Sequence, residues 1–165
     1  MILSTKGRYA VMAMVELALH PTESPVRVAL IAERQEIPLA YLEQIFAKLK
    51  RHGLIQSVRG PGGGYTLGRP AGLISMAEII VAAEESIKMT RCGGTEHAGC
   101  MAPRTRCLTH DLWEGLGQQI YNYLSSLTLE DVASGAIKTK FPRDKKASSH
   151  VTMFAEMLER DTAQV

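Results

Sequence analysis

Acidic residues are missing between Glu43 and Glu78, where Lys48, Lys50, Arg51, Arg59 and Arg69 all fall. A one-signed segment in a chain of net charge only +2 points to a surface that meets a polyanion. The chain also lacks any apolar stretch of membrane-spanning length, and the opening MILSTKGRYAV has no export-signal pattern. A cytoplasmic protein with no membrane partner is therefore expected. No paired carboxylates, nucleophile–base constellation or cofactor fingerprint accompanies the 22% charged residues, which argues against an enzyme. No internal repeat is present. Cysteine is scarce, but its placement is not random: Cys92, Cys100 and Cys107 all lie within one short segment. In a reducing compartment, clustered thiols more often bind metal than form disulfides.

That segment, RCGGTEHAGCMAPRTRCLTH from Arg91 to His110, reads C-x7-C-x6-C-x2-H. Gly93, Gly94, Gly99 and Pro103 exclude regular structure, so a loop is expected to fold around something. A helical run follows, placing Cys107 and His110 at its N-terminus, where the helix dipole favours thiolate. Three thiolates and an imidazole form a soft-metal ligand set. On chemistry alone tetrahedral zinc and an iron–sulfur cluster both fit. The C-x2-4-C knuckles of structural zinc sites are absent, and long glycine-containing gaps suit a larger cofactor.

Upstream, a nearly all-apolar helix from about 4 to 19 is expected to be sandwiched between other elements. Helices over about 28–35 and 39–52 flank the turn Glu36-Ile37-Pro38. In the second, Leu42, Ile45, Phe46 and Leu49 recur at helical spacing, and Gly53 supplies the stop. Its opposite face carries Tyr41, Glu43, Gln44, Lys48 and Arg51. Strands at 54–59 and 65–67, joined by Gly60-Pro61-Gly62-Gly63-Gly64, complete the order of a winged helix-turn-helix. Arg59 stands at the base of the wing, suited to a minor groove. The glycine run lacks the Lys-Ser/Thr of a P-loop, so phosphate cradling is discounted.

The expected fold class is mainly α: a winged helix-turn-helix with a small β-hairpin wing plus a long dimerisation helix. Ser75-Met76-Ala77-Glu78 is a capping box opening a helix to about 85. Trp113, Leu116, Ile120, Tyr123, Leu124 and Leu127 mark a helix over about 111–127, packed on its own domain or zipped to a second copy. A short capped turn spans 128–132. The expected organisation is a DNA-binding domain at 1–72, the ligand loop (91–110) and dimerisation helix within 73–132, and a mobile basic tail at 133–165. Val151, Phe154, Met157 and Leu158 fit one face of an amphipathic helix in that tail.

Three stretches, STKGRYAV, YLEQIFAKLKRHGLIQSVRGPGGGYTLG and CLTHDLW, resemble the IscR-type family of winged-helix iron–sulfur transcription regulators. The resemblance covers residues 1 to about 132. It implies a homodimer on double-stranded operator DNA, holding a [2Fe–2S] cluster through Cys92, Cys100, Cys107 and His110. It also implies control of the genes that assemble such clusters, the chain's own operon included, with the assembly machinery as cluster donor. The family spaces its cysteines more tightly than the gaps of seven and six here. The longer loop contains His97, a second candidate ligand, and still closes at small entropic cost. A [4Fe–4S] regulator responding to nitric oxide or iron is the alternative within the same family.

Overall fold

A computed structural model describes residues 5–21, 24–83, 100–101 and 105–137. The basic run 138–146, the helix expected around 151–158, Cys92 and His97 lie outside them. The chain divides into two compact units, 1–134 and 135–165. Among the described residues there are six α-helices and two strands: α1 (Thr5–Ala18), α2 (Val28–Arg34), α3 (Leu39–Arg51), β1 (Ile55–Val58), β2 (Gly64–Leu67), α4 (Met76–Ala82), α5 (His110–Ser126) and α6 (Leu129–Ala133). A single 3-10 turn at Ala71–Leu73 precedes α4.

The centre of the first unit is α1. It touches α2, α3, β2, α4 and α6, which explains why so few of its positions are polar. Ala10, Ala13, Met14 and Leu17 are buried in it, and so is one acid, Glu16. Burying a lone carboxylate is costly unless donors meet it. Here Arg34 Nη1 donates at 2.7 Å and Gln35 Nε2 at 2.9 Å, both from the end of α2. Their bonds hold the Glu16 carboxyl below the usual carboxylate range, the Arg34 hydrogen bond being the largest cause. His20 completes the network, donating from Nδ1 to the Glu16 carbonyl and accepting from Arg34 at Nε2.

The turn between α2 and α3 is tight. Glu36 takes a φ of 53°, a left-handed value uncommon for a residue with a side chain, and the Ile37 amide bonds back to the Ala32 carbonyl at 2.9 Å. From there α3 buries Leu42, Ile45, Phe46 and Leu49. It ends with Gly53 at φ 70°, the left-handed stop expected from the sequence.

The wing is antiparallel, with Ile55 opposite Leu67, Gln56 opposite Thr66, Ser57 opposite Tyr65 and Val58 opposite Gly64. Its free edge is covered. Val26, just before α2, exchanges both backbone bonds with Tyr65 at 2.9 and 2.8 Å. Gly64 makes this possible, because a Cβ there would lie 2.5 Å from the Val26 carbonyl oxygen. The Tyr65 ring stands edge-on to Phe46, centroids 4.9 Å apart, tying the wing to the core of α3.

Two capping boxes lie back to back. Ser75 caps α4 with Glu78, as expected from the sequence, and Thr128 caps α6 with Asp131. The Met76 amide bonds to the Leu127 carbonyl at 2.9 Å and the Leu129 amide to the Ile74 carbonyl at 2.8 Å, joining the two helix starts. The helix α5 begins at His110 rather than Asp111 and ends at Ser126. Its expected stripe divides: Leu127 is buried and Leu116, Ile120 and Leu124 are half-buried, while Trp113 and Tyr123 are exposed together with Leu112 and Tyr121. No described helix is long and apolar enough to cross a membrane.

Candidate nucleic-acid surface and metal-ligand cluster

The outward face of α3 presents the residues that the sequence assigned to it. Glu43, Gln44 and Arg51 are exposed, and Tyr41 and Lys48 are half-buried. Tyr41 is not a loose side chain. Tyr9 of α1 packs against it edge to face, with centroids 5.9 Å apart and an interplanar angle of 83°. Lys50 turns toward the wing, where Nζ donates to Ser57 Oγ at 2.8 Å. Arg59 is exposed where β1 leaves for the wing tip. The tip is built from Gly60 and Gly62, both at positive φ, and closed by the Gly63 amide on the Gly60 carbonyl at 2.8 Å. A Cβ at Gly63 would sit 2.5 Å from the Val58 oxygen.

The second cluster is at the start of α5. Cys107, Leu108 and Thr109 form the turn into the helix, and the His110 amide bonds to the Cys107 carbonyl at 3.0 Å. Cys100 approaches from the loop side, just before Met101 pairs with Thr105. Its Sγ lies 3.1 Å from His110 Nδ1. The Cys107 sulfur is 3.5 Å from the Thr109 hydroxyl. That hydroxyl is the main cause that holds the Cys107 thiol below its ordinary range, and the Cys100 side chain adds to the effect. The thiolate is the form in which a cysteine ligates metal.

The His110 side chain is only 4% exposed. Its Nε2 faces Glu114, one turn further along α5, with Oε2 at 3.6 Å. Ligand atoms of His110, Asp111 and Glu114 all fall within 4.8 Å of one another. Asp111, however, extends toward Arg106 at 3.9 Å and is 88% exposed. Of the four donors expected from the sequence, Cys100 is in direct contact with His110, and Cys107 lies within reach of the Cys100 side chain. The fourth, Cys92, is outside the described residues.

The arrangement fits a metal group. Two ligands on one tetrahedral metal, with bonds of about 2.3 Å to sulfur and about 2.0 Å to nitrogen, stand roughly 3.5 Å apart. The Cys100–His110 separation of 3.1 Å is close to that before any metal is considered. Sequence reading missed Thr109 and Glu114. The signals were present in each case: a hydroxyl two residues after the cysteine, and a carboxylate at the i+4 position that a helix stacks over the histidine.

Comparison with known proteins places these features in context. The model of a family described as Rrf2, iron-dependent transcriptional regulator, matches residues 3–135. The chain is 54% identical over 132 residues to the HTH-type transcriptional regulator IscR of Xenorhabdus nematophila, covering 80% of this chain and 79% of that one. It is 53% identical over 134 residues to its namesake in Photorhabdus laumondii, covering 81% and 80%. Among solved structures, T. potens IscR superposes with a TM-score of 0.67 at 35% identity, covering 89% of this chain and 96% of that one. CymR, the global cysteine regulator of B. subtilis, gives a TM-score of 0.68 at 33% identity, covering 81% and 97%.

Proposed function

This chain belongs to the Rrf2 family of iron-dependent transcriptional regulators, and from that premise we propose that it is a homodimeric regulator whose hold on operator DNA reports iron–sulfur cluster supply. It is a DNA-binding winged-helix regulator and not an enzyme. The finer reading assigns a [2Fe–2S] cluster to Cys92, Cys100, Cys107 and His110. The observation that carries it is the 3.1 Å approach of Cys100 Sγ to His110 Nδ1 at the first residue of α5.

Each part of the chain has a task in this reading. Tyr41, Glu43 and Gln44 meet base edges in the major groove, Lys48 and Arg51 meet phosphates, and Arg59 enters the minor groove. The exposed rings of Trp113, Tyr121 and Tyr123 on α5 meet a second copy, giving two reading heads for two half-sites. When bound, a cluster supplies a redox-active, easily lost cross-link between the ligand loop and the start of α5. Cys100, Cys107 and His110 would then be held in one arrangement at the start of α5, which α5 would pass to its partner copy. The regulated genes are those that assemble iron–sulfur clusters, including the chain's own operon, repressed by the loaded form. The cluster arrives from that assembly machinery, in the cytoplasm.

Anaerobic purification of the full chain, with iron and sulfide counts and Mössbauer spectra, tests the cofactor. Two irons per chain are expected. Four irons would replace this reading with a [4Fe–4S] regulator, and stoichiometric zinc would remove cluster sensing. Operator affinity of cluster-free and loaded protein tests the coupling, and equal affinities at every site would end it.

A further inference from the structure

The His110 ring has two nitrogens and only one can take the metal. We infer that His110 ligates through Nδ1 and that Glu114 is its positioning residue, accepting a hydrogen bond from the opposite Nε2–H. The inference rests on the function proposed above and deepens it by assigning the ligand atom and its support.

The geometry is specific because the ring is nearly fully enclosed, with 4% of the side chain exposed. Each nitrogen therefore has a fixed outlook. Nδ1 is 3.1 Å from Cys100 Sγ, so a metal that shares that sulfur meets Nδ1. Using the Nδ1 lone pair for the metal places the imidazole proton on Nε2. That N–H is turned toward Glu114, whose Oε2 is 3.6 Å away, an ion-pair separation rather than a hydrogen bond. The Glu114 side chain is half exposed and has room to swing inward. Closing by roughly 0.7 Å gives a charge-assisted bond of ordinary length.

Such a carboxylate–histidine–metal arrangement fixes ring orientation and makes the imidazole a better donor. A more electron-rich ligand disfavours the reduced centre and holds the metal more firmly. Asp111 provides a built-in control. It carries the same charge on the adjacent residue, but it is 88% exposed and directed to Arg106. Simple loss of one negative charge near the centre is thus separable from loss of the bond to Nε2.

The experiment compares full-length wild type, Glu114→Gln, Glu114→Ala and Asp111→Asn, all purified anaerobically. Three quantities are read: the rate of cluster loss to a chelator, the midpoint potential, and nitrogen hyperfine couplings of the reduced centre with histidine labelled at Nδ1 or Nε2. Wild type is expected to show the large coupling from Nδ1. Glu114→Ala is expected to lose its cluster roughly 10–100-fold faster, with the potential raised. Glu114→Gln keeps an acceptor but not the charge, so its loss rate falls between. Asp111→Asn stays near wild type in loss rate and shifts the potential less. The large coupling from Nε2, or matching behaviour of the Glu114 and Asp111 variants, overturns the inference and leaves the cluster reading standing. Wild type without iron overturns both. Melting temperatures of the cluster-free variants complete the set, since a merely structural Glu114 would lower these and leave the couplings and potential where they were.

Discussion

Lys50 Nζ donates a hydrogen bond to Ser57 Oγ at 2.8 Å, so the last turn of α3 is fastened to the first strand of the wing. The neighbouring Arg51 is also exposed. Of these two adjacent cations, one ties α3 to the wing, and the other is the one proposed above to meet phosphate.

Replacing Arg51 by alanine should weaken all operator sequences alike and lower the salt slope of binding by about one unit. Ser57→Ala should leave that slope unchanged, since it removes an exposed bond and no charge. Affinity titrations over a range of salt concentrations separate the two.

Glu43 is an exposed acid on the face of α3 proposed to meet DNA, where it would repel phosphate and act through selectivity. A carboxylate accepts from cytosine N4 and penalises sites without that donor. Glu43→Ala should widen the set of sequences bound, measured by selection from a random pool. A narrower set would show the opposite role.

Glu16 should govern part of the acid stability. Its folded pKa is depressed by Arg34, so the stabilisation is complete above the unfolded value near 4.5 and is lost as pH falls through the folded one. Because Arg34 is about half exposed, Glu16→Gln should cost only about 1 kcal/mol at neutral pH. That difference should vanish in urea melts well below pH 4. A deficit that persisted in acid would assign the effect to packing.

Gly64→Ala should destabilise by about 1–3 kcal/mol, because its methyl meets Val26 backbone that cannot retreat without breaking the pair to Tyr65. Operator binding should fall with it. An unchanged melting temperature would mean that the Val26 rung is dispensable.

Much of the reading head was legible because its signals are local. Leu42, Ile45, Phe46 and Leu49 announce a buried helix face through their spacing, and Ser75 with Glu78 announces a helix start three residues apart. What escaped is long-range. Nothing near Val26 says that it will pair with Tyr65, and nothing near Glu16 says that Arg34, eighteen positions later, will meet it. The α5 stripe was read as one surface but is shared between the covered Leu116, Ile120 and Leu124 and the exposed Trp113 and Tyr123. Spacing gives the face of a helix, not what lies across from it. At the candidate metal centre the donor types were plain from sequence, whereas the roles of Thr109 and Glu114 needed the helix start to be placed at His110.

The paired caps at Ser75 and Thr128 have a mechanical consequence. They join the C-terminal end of α5, where Leu127 meets α4, and His110 lies at the other end of a rod roughly 25 Å long. A tilt of about 5° at that pivot sweeps the histidine end by roughly 2 Å over such a length. In the proposed dimer, a shift of that size at the ligand end matches the helix displacements of about 1–2 Å by which subunit interfaces switch.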